Sequence, residues 1–270
     1  MPAFLLEPIL IMLGIYKIGG NVINDPKKLQ GFLKDFSAIP GKKILVHGGG
    51  KEASSLGKEL GHEATMIDGR RVTDEETLRL VTMVYAGLIN KRIVSLLQEI
   101  GTNAVGLTGA DANLIPATKR APFPVDYGFV GDINPDNINT EFLHLLLDNG
   151  YTPVVCAICR NPEGGLLNCN ADSIAASLAI ACAKNQSVEL VYCFEKQGVL
   201  TDVNDETSVV PVITPRIFDS LKEEGKISGG MIPKVSNALD AVGKGVKKVV
   251  IAGSDNFHTG MGTIIHEDRN

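Results

Sequence analysis

Apolar runs of strand length alternate with amphipathic, helix-like segments along most of the chain. Two of these runs, residues 9–16 and 43–47, are each followed by glycines and then by a helix-like segment. Later runs of the same kind lie at 104–107, 151–159, 187–193, 246–252 and 262–266. Because helix-like segments separate the strands, the pattern predicts an α/β fold, a three-layer αβα sandwich around a mainly parallel sheet.

Polar residues in front of the amphipathic segments predict where helices begin. Asp25-Pro26 and Thr214-Pro215 each combine an N-capping side chain with a proline suited to the first helical position. Thr73 and Thr140 are predicted caps as well, and the helix after Thr73 should run to about Ile100. That helix is long and apolar enough to provide a dimer interface in addition to its share of the core.

Two lobes are expected, residues 1–165 and residues 166–270. The chain moves to a second set of strand–helix units near residues 165–185, which suggests a boundary there. Residues 115–138 are rich in Pro, Gly, Asp and Asn, and they predict a β-hairpin at the periphery of the first lobe.

Composition and charge exclude several classes of protein. The 44% hydrophobic and 21% charged residues are typical of a soluble globular protein. A net charge of −5, few aromatic residues and the lack of Trp argue against a nucleic-acid binder. Residues 1–13 are apolar, but they have no positively charged start and are too short to span a bilayer. We therefore expect a cytoplasmic protein that contacts no membrane.

Five cysteines are present, and Cys156 and Cys159 form a C-x-x-C pair. An odd number in a chain of this length does not indicate a secreted disulfide framework. The pair could be half of a zinc site or a redox pair, but a zinc site needs four ligands and no second pair follows. An apolar strand that happens to carry two cysteines is the favoured interpretation.

Glycine loops next to lysines indicate a polyanionic ligand. Such loops occur at residues 17–20, 48–51 and 229–234, where Lys17, Lys51 and Lys234 accompany the glycines. Glycines let the backbone approach a ligand closely, and the N-terminus of a following helix favours an anion. The chain has no G-x-x-x-x-G-K-[ST] sequence, so it is not a P-loop protein.

A dinucleotide site is a competing interpretation of the second loop. Gly48-x-Gly50-x-x-Ala53 fits the loose dinucleotide-binding fingerprint, and Asp68 follows at a suitable distance. An NAD-dependent oxidoreductase of this kind would leave Lys17 and Lys234 without a function.

Five segments together carry a more specific signal. They are Lys17–Gly20, His47–Gly50, Gly69–Thr73, Leu167–Asp172 and Gly229–Lys234. In this order, and over about residues 11–265, the chain resembles the amino acid kinase family. The Arg-Val-Thr and Asn-x-Asn-Ala-Asp segments resemble the branch that acts on N-acetylglutamate.

This resemblance implies a fold, a reaction and partners. It implies an amino acid kinase-like fold, in which residues 1–165 bind the acyl-amino-acid and dimerise, and residues 166–270 bind ATP. The implied reaction is ATP-dependent phosphorylation of the γ-carboxylate of N-acetyl-L-glutamate, a step of arginine biosynthesis, with Mg²⁺ carried by the nucleotide phosphates. An arginine-insensitive homodimer is expected, since only residues 1–16 precede Lys17.

The resemblance also implies catalytic residues. Lys17 and Lys234 would lie on opposite sides of the migrating phosphoryl group, and Asp172 would orient both lysines. Gly20 and Gly50 complete this catalytic set. The acceptor carboxylate is already ionised at neutral pH, so no general base is needed, and the difficulty is to bring two anions together.

Substrate and nucleotide contacts follow from the same resemblance. Gly49 and Gly50 would offer backbone N–H groups, Arg71 would clamp a substrate carboxylate, and Asn168 would bind the substrate amide region. Expected nucleotide contacts are Gly19, Cys193, Phe194, Gly198, Val199, Leu200, Ser228, Gly229, Gly230 and Met231. The family usually has a Thr-Asp or Ser-Asp pair where this chain has Cys193-Phe194-Glu195.

Some alternatives stay open at the level of sequence. The acyl group could be larger than acetyl, for example succinyl, because Arg71 and Asn168 would recognise groups common to both substrates. A non-catalytic metabolite sensor with the same fold is the remaining alternative from another class. His47 is expected to have a structural role.

Overall fold

The computed structural model describes residues 12–67, 69–227 and 231–268. The strands within these residues are β1 Leu13–Ile18, β2 Lys43–His47, β3 Met66–Ile67, β4 Arg70–Arg71, β5 Ala104–Leu107, β6 Ala117–Lys119, β7 Gly131–Ile133, β8 Thr152–Cys156, β9 Ile158–Arg160, β10 Leu166–Asn168, β11 Val188–Phe194, β12 Val212–Ile213, β13 Lys248–Gly253 and β14 Thr263–Ile265.

The helices surround these strands. Within the same residues they are α1 Gly20–Ile23, α2 Pro26–Ala38, α3 Gly50–Glu59, α4 Glu75–Thr82, α5 Asn90–Glu99, α6 Thr140–Asp148, α7 Ala171–Ala183, α8 Pro215–Glu223 and α9 Met231–Gly243. A π-helical segment, Met83–Ile89, joins α4 to α5 without a break.

Eight strands form one central sheet in the order β12-β14-β13-β11-β1-β2-β8-β5. Neighbouring strands are parallel throughout, apart from the antiparallel pair β13–β14. The predicted α/β class with a mainly parallel sheet is therefore confirmed. Small antiparallel ladders, β3–β4, β6–β7 and β9–β10, lie outside the sheet, and β6–β7 is the hairpin predicted within residues 115–138.

The side chains that alternate along β1 show that helices cover both faces of the sheet. Successive strand side chains point to opposite faces. The ring of Tyr16 packs edge-on against Phe36 of α2, with centroids 5.4 Å apart. The next residue, Lys17, reaches Asp172 of α7. Helices α2 and α7 thus lie on opposite faces, which makes three layers.

Helix α7 is buried on nearly all sides and fixes one face of the sheet. It packs against β1, β2, β11 and α9. Ile174 and Leu178 are fully buried, and each contributes roughly 1.5–3 kcal/mol by leaving water. Alanines between them let the backbones approach closely. This packing holds the N-terminus of α7, with Asp172, at the carboxyl edge of the sheet.

Two predicted helix caps are wrong by one residue. The cap of α4 is Asp74, whose carboxylate accepts from the N–H of Thr77 at 2.7 Å. Thr73 is buried instead, and its hydroxyl accepts a hydrogen bond from Asn168 at 3.0 Å. Asn139 rather than Thr140 caps α6. The predicted caps at Asp25 and Thr214 are confirmed.

Three predicted elements have different bounds or a different form. The strand predicted at 151–159 is two strands, because β8 belongs to the central sheet and β9 pairs with β10. The long predicted helix is present but contains the π segment Met83–Ile89. The first strand continues to Ile18, beyond its predicted end at Tyr16. Its predicted start, residues 9–11, lies outside the described residues.

Candidate active site

Two glycine loops open side by side on one edge of the sheet. Strands β1 and β2 are parallel neighbours, and their last residues, Ile18 and His47, are paired in register. Residues 19–20 therefore lie beside residues 48–50, and each loop leads into a helix that begins at its last glycine. Gly19, Gly20, Gly49 and Gly50 line one cavity, and the start of a helix next to a cavity favours an anion there.

Lys17 and Asp172 form an ion pair at this edge, with 2.6 Å between Lys17 Nζ and Asp172 Oδ1. The Lys17 side chain is 10% exposed and that of Asp172 is 20% exposed, so water screens the pair weakly. Asp172 lies in the first turn of α7, and the Asn170 side chain caps that turn by accepting from the N–H groups of Asp172 and Ser173. The lysine therefore has a fixed direction.

Lys234 lies in the first turn of α9 and approaches the same place from another side. Its Nζ lies 4.0 Å from the centroid of the Phe194 ring. Burial lowers the pKa of Lys234, the Asp172 carboxylate opposes that shift, and the charge of Lys17 adds to it. Asp172 is thus near enough to influence both lysines, although its ion pair is with Lys17.

Two cavities meet at these groups. The larger is about 710 Å³ and the smaller about 430 Å³. The residues that line both are Lys17, Gly19, Gly20, Gly50, Asp172 and Lys234. This shared wall contains all five predicted catalytic residues. A group bound there would touch the occupants of both cavities, so the arrangement suits transfer of a small anionic group between two ligands.

The larger cavity contains the four residues predicted to bind the acyl-amino-acid, Gly49, Gly50, Arg71 and Asn168. Arg71 donates from Nη2 to the carbonyl of Gly50 at 2.9 Å and to Ser54 Oγ at 2.7 Å. These bonds tie the guanidinium to the glycine loop itself. Arg71 is thereby placed beside the backbone N–H groups with which it would share a carboxylate.

Tyr85 is a lining residue that the sequence did not indicate. It lies in the π segment, and a Cβ added to Gly49 would come within 2.7 Å of its ring. Burial raises the pKa of Tyr85, and the neighbouring Arg71 guanidinium opposes that shift. Tyr85 therefore supports both the glycine loop and Arg71. The apolar spacing around Tyr85 predicts an ordinary buried position on a helix, and π segments have no simple sequence signature.

Arg70 and Arg120 also line the larger cavity and were not predicted. Arg120 donates to Asp132 from Nε at 3.0 Å, and this bond raises the pKa of its guanidinium. Its guanidinium also lies over the Tyr127 ring, 5.8 Å from the centroid. Arg120 is far from the glycine loops in sequence, so only the hairpin packing brings it to the cavity.

The smaller cavity contains most of the predicted nucleotide contacts that the structure describes. Gly19, Cys193, Phe194, Gly198 and Met231 line it. The residues Asn21, Val22, Lys51, Glu195 and Lys196 line it too.

Two predicted nucleotide contacts, Val199 and Leu200, do not line the smaller cavity. Val199 is fully buried, and its N–H donates to Thr263 Oγ1 at 2.8 Å, so it is outside the lining of the smaller cavity. Leu200 is also outside that lining and pairs with Val209. Ser228, Gly229 and Gly230 lie outside the described residues, as does Asp68 of the dinucleotide alternative.

His47 is a buried structural residue. Its Nδ1 lies 2.8 Å from the carbonyl of Gly48, and its Nε2 lies 3.0 Å from Asn90 Nδ2. Since the Asn90 amide can only donate there, Nε2 accepts and Nδ1 carries the proton. Burial lowers the pKa of His47 to about 4, so the ring is neutral at pH 7. It locks the start of the glycine loop to helix α5.

The cysteines make no disulfide and are all buried. Cys156 ends β8 and Cys159 lies in β9, which confirms that the C-x-x-C pair belongs to strands. Burial raises the pKa of the Cys156 thiol to about 12, which makes it a poor thiolate ligand. Among residues 12–67, 69–227 and 231–268, no group of three or more His, Cys, Asp or Glu side chains is placed to hold a metal.

Comparisons with known proteins agree with this geometry. The sequence model described as the amino acid kinase family matches residues 12–253. An acetylglutamate kinase of Phocaeicola vulgatus is 50% identical over 253 residues, which cover 94% of this chain and 98% of that protein.

Two solved structures are similar in fold. The crystal structure of smu.665 from Streptococcus mutans UA159 is 28% identical with a TM-score of 0.76, covering 95% of this chain and 99% of that one. N-acetylglutamate synthase from Neisseria gonorrhoeae, complexed with coenzyme A and N-acetyl-glutamate, has a TM-score of 0.81 at 21% identity. The match covers 96% of this chain and 60% of the synthase, and at that identity it shows the fold alone.

Proposed function

The chain belongs to the amino acid kinase family, and we propose that it transfers the γ-phosphoryl group of ATP to the γ-carboxylate of N-acetyl-L-glutamate. The product is N-acetyl-L-glutamyl 5-phosphate, an intermediate of arginine biosynthesis. One observation carries this proposal: the larger and smaller cavities meet at a wall that contains Lys17, Asp172 and Lys234. An oxidoreductase would need no such pair of lysines, and the family is one of kinases.

Phosphoryl transfer between two anions needs cations and N–H groups where negative charge develops. Lys17 and Lys234 supply the cations from two sides, and the helix starts at Gly20 and Gly50 supply backbone N–H groups. Asp172 keeps Lys17 directed at the junction of the cavities. The acceptor is an ionised carboxylate, which attacks without a general base.

The larger cavity holds the acyl-amino-acid. The Arg71 guanidinium binds the α-carboxylate through its Nη1 group, because Nη2 already donates to the carbonyl of Gly50 and to Ser54. Asn168, fixed by its bond to Thr73, recognises the amide of the acyl group. The N–H groups of Gly49 and Gly50 hold the γ-carboxylate next to the junction.

The smaller cavity holds the nucleotide. The base and ribose are taken by Cys193, Glu195, Lys196, Gly198 and Met231, and Gly19 and Lys234 take the phosphates. Mg²⁺ is carried by the phosphates rather than by a protein cage, as is usual for this hard cation. In this arrangement residues 166–270 provide most of the nucleotide site and residues 1–165 most of the acceptor site.

A larger acyl group is a second candidate, favoured by two further guanidinium groups in the larger cavity. Arg70 and Arg120 line that cavity in addition to Arg71. N-acetyl-L-glutamate offers only one carboxylate besides the one that reacts, whereas an N-succinyl group brings another. Arg120 is held in place by Asp132 and is suited to such a group.

A coupled ADP-release assay tests the proposed acceptor and its acyl group. We expect turnover with N-acetyl-L-glutamate at a kcat/KM at least about 100-fold above that with glutamate or aspartate, because the unacylated amine leaves Asn168 without its partner. N-succinyl-L-glutamate in the same assay decides between the two acyl groups. A chain that binds these compounds and releases no ADP would be a sensor, and the kinase proposal would fail.

We propose that the protein is cytoplasmic and forms a homodimer. The segment Glu75–Glu99 is 25 residues long and apolar enough to cross a membrane by length and composition. One side of it is core, with Val81, Ile89 and Ile93 fully buried. Its other side exposes Met83 and Leu88, each 51% accessible. An apolar outer face on a core helix suits contact with a second copy.

Five buried free cysteines suit a reducing compartment.

Light scattering of the purified protein measures this assembly. We expect a dimer mass at micromolar concentration and a monomer mass for Leu88→Glu, because a buried charge at the interface is costly. Glu141→Gln, on α6, is a control that should leave the mass unchanged. A wild-type monomer at all concentrations would contradict the homodimer.

A further inference from the structure

Phe194 is the last residue of β11. Its ring lines the smaller cavity and lies near both lysines of the wall that the two cavities share. We propose that Phe194 is a positioning residue for phosphoryl transfer, whose ring face holds the Lys234 ammonium at the junction. This inference rests on the proposed kinase function and adds a residue to its machinery.

Distances place both cations at the ring. Lys234 Nζ lies 4.0 Å from the ring centroid and Lys17 Nζ lies 5.7 Å from it. A cation within about 6 Å of an aromatic face is attracted to it, by roughly 0.5–2 kcal/mol depending on exposure. Lys234 is therefore in close contact with the ring, whereas Lys17 is at the limit of that range.

The ring itself has a fixed position. Tyr192 stacks on Phe194 with centroids 6.1 Å apart and an interplanar angle of 14°. The Phe194 carbonyl accepts from the N–H of Ser254 at 3.0 Å, and the strand is paired with β13. The Tyr192 hydroxyl donates to the carbonyl of Asp172 at 3.3 Å. The same stack thus joins the support of Lys234 to the backbone of the residue that orients Lys17.

The two lysines need different supports because only one of them pairs with Asp172. Lys17 has the carboxylate at 2.6 Å. The carboxylates of Asp172 and Glu195 raise the pKa of Lys234, and the charge of Lys17 lowers it. Repulsion between two ammonium groups would drive the more flexible one toward solvent when no phosphate is present. A ring face attracts a cation without neutralising it, so Lys234 keeps its charge for the transition state.

The competing role for Phe194 is a passive wall of the smaller cavity. A wall that only contacts the nucleotide would act on binding, so its removal would raise the KM for ATP. A residue that positions Lys234 acts where charge develops, so its removal lowers kcat. The ratio of these two effects separates the roles.

The test compares Phe194→Leu and Phe194→Met with Phe194→Tyr, which keeps the aromatic face. We expect kcat to fall about 3- to 30-fold in the first two, with the KM for ATP within about twofold of wild type. Phe194→Tyr should keep at least about half of the wild-type kcat. Phe194→Met preserves volume, so it serves if the leucine variant does not fold.

Phe218→Leu is the matched control. Its ring lies under Lys222, with Nζ 4.5 Å from the centroid, and it lines neither cavity. We expect it to change stability and to leave kcat unchanged. Unaltered kcat in both Phe194→Leu and Phe194→Met, or a rise in the KM for ATP without a fall in kcat, would overturn the positioning role. An inactive wild-type enzyme would instead reject the kinase function itself.

The pH dependence of kcat gives an independent readout. Turnover needs protonated Lys234, so it falls as the pH rises through the pKa of that lysine. The ring stabilises the charged form of Lys234. Its loss in Phe194→Leu and Phe194→Met should therefore shift the alkaline fall of kcat to lower pH. The facing groups Asp172, Glu195 and Lys17 are unchanged in these variants. An alkaline fall of kcat at the same pH as in the wild type, in both variants, would overturn the positioning role.

Discussion

Lys17→Met and Lys234→Met are each expected to lower kcat by about 100- to 1,000-fold, the usual effect of losing one preorganised donor to a transition-state charge. Both lysines line the wall shared by the two cavities, so in the proposed reaction each would face the phosphoryl group during transfer. The KM values should change much less, because Arg71, Asn168 and the nucleotide contacts remain. Steady-state kinetics with both substrates varied measures this.

Lys43→Met is the matched control for Lys17→Met. As whole residues both lysines are 8% exposed, and they lie on adjacent parallel strands. Lys43 Nζ donates to the carbonyls of Ser37 and Ile39, away from the cavities. Its loss should cost stability and leave kcat unchanged. Full turnover in Lys17→Met or in Lys234→Met would contradict the two-lysine mechanism.

Lys17→Met also leaves Asp172 without its partner, which lowers stability. The double variant Lys17→Met with Asp172→Asn removes that unpaired charge. We expect the double variant to regain stability but not turnover. Lys234→Met avoids this complication, because Lys234 rests on a ring rather than on the carboxylate.

Gly49→Ala is expected to have the second-largest effect, a fall of at least about tenfold in kcat/KM for the acyl-amino-acid. An added Cβ would come within 2.7 Å of Tyr85 and closer still to Ile89, and both are buried in the π segment. The loop must move instead. Because Arg71 is bonded to the carbonyl of Gly50, its guanidinium moves with the loop.

The same variant should lose about 1–3 kcal/mol of unfolding free energy, as overpacked sites do. Gly31→Ala is the control, because Gly31 lies within α2 with no atom near an added Cβ. There alanine should be neutral or stabilising by up to about 1 kcal/mol, with unchanged activity. Wild-type kinetics for Gly49→Ala would show that the loop does not set the acceptor site.

Local sequence signals predicted the frame of the site. The apolar run Lys43–His47 and the glycines after it placed β2 and the start of α3 correctly, because strand and helix periods and glycine are local properties. Parallel pairing of β1 with β2 then brings Lys17 beside residues 48–50, since consecutive strands in this class lie on one sheet edge.

Tertiary contacts decided what the sequence could not. Thr73 has the sequence context of a helix cap, but Asn168, far along the chain, binds its hydroxyl, and Asp74 takes the cap. Tyr85 belongs to an apolar helix, yet the π segment turns it toward Gly49 and Arg71. Arg120 reaches the cavity only because the hairpin β6–β7 folds over it.

The partners of the two lysines show the same limit most clearly. The family resemblance implies that Asp172 orients both lysines, and in the structure Asp172 forms an ion pair with Lys17 while Lys234 lies over the Phe194 ring. The depth at which each side chain reaches the junction depends on how α7 and α9 pack against the sheet. No local sequence pattern predicts how far each lysine side chain reaches toward the junction of the cavities.

Trapping the product with hydroxylamine tests the central claim most directly, because hydroxylamine converts an acyl phosphate into a stable hydroxamate. With enzyme, ATP, Mg²⁺ and an N-acyl-L-glutamate, we expect the γ-hydroxamate to form in the same amount as ADP and only when the acceptor is present. ADP release that is independent of the acceptor, or release without hydroxamate, would contradict phosphoryl transfer to the γ-carboxylate.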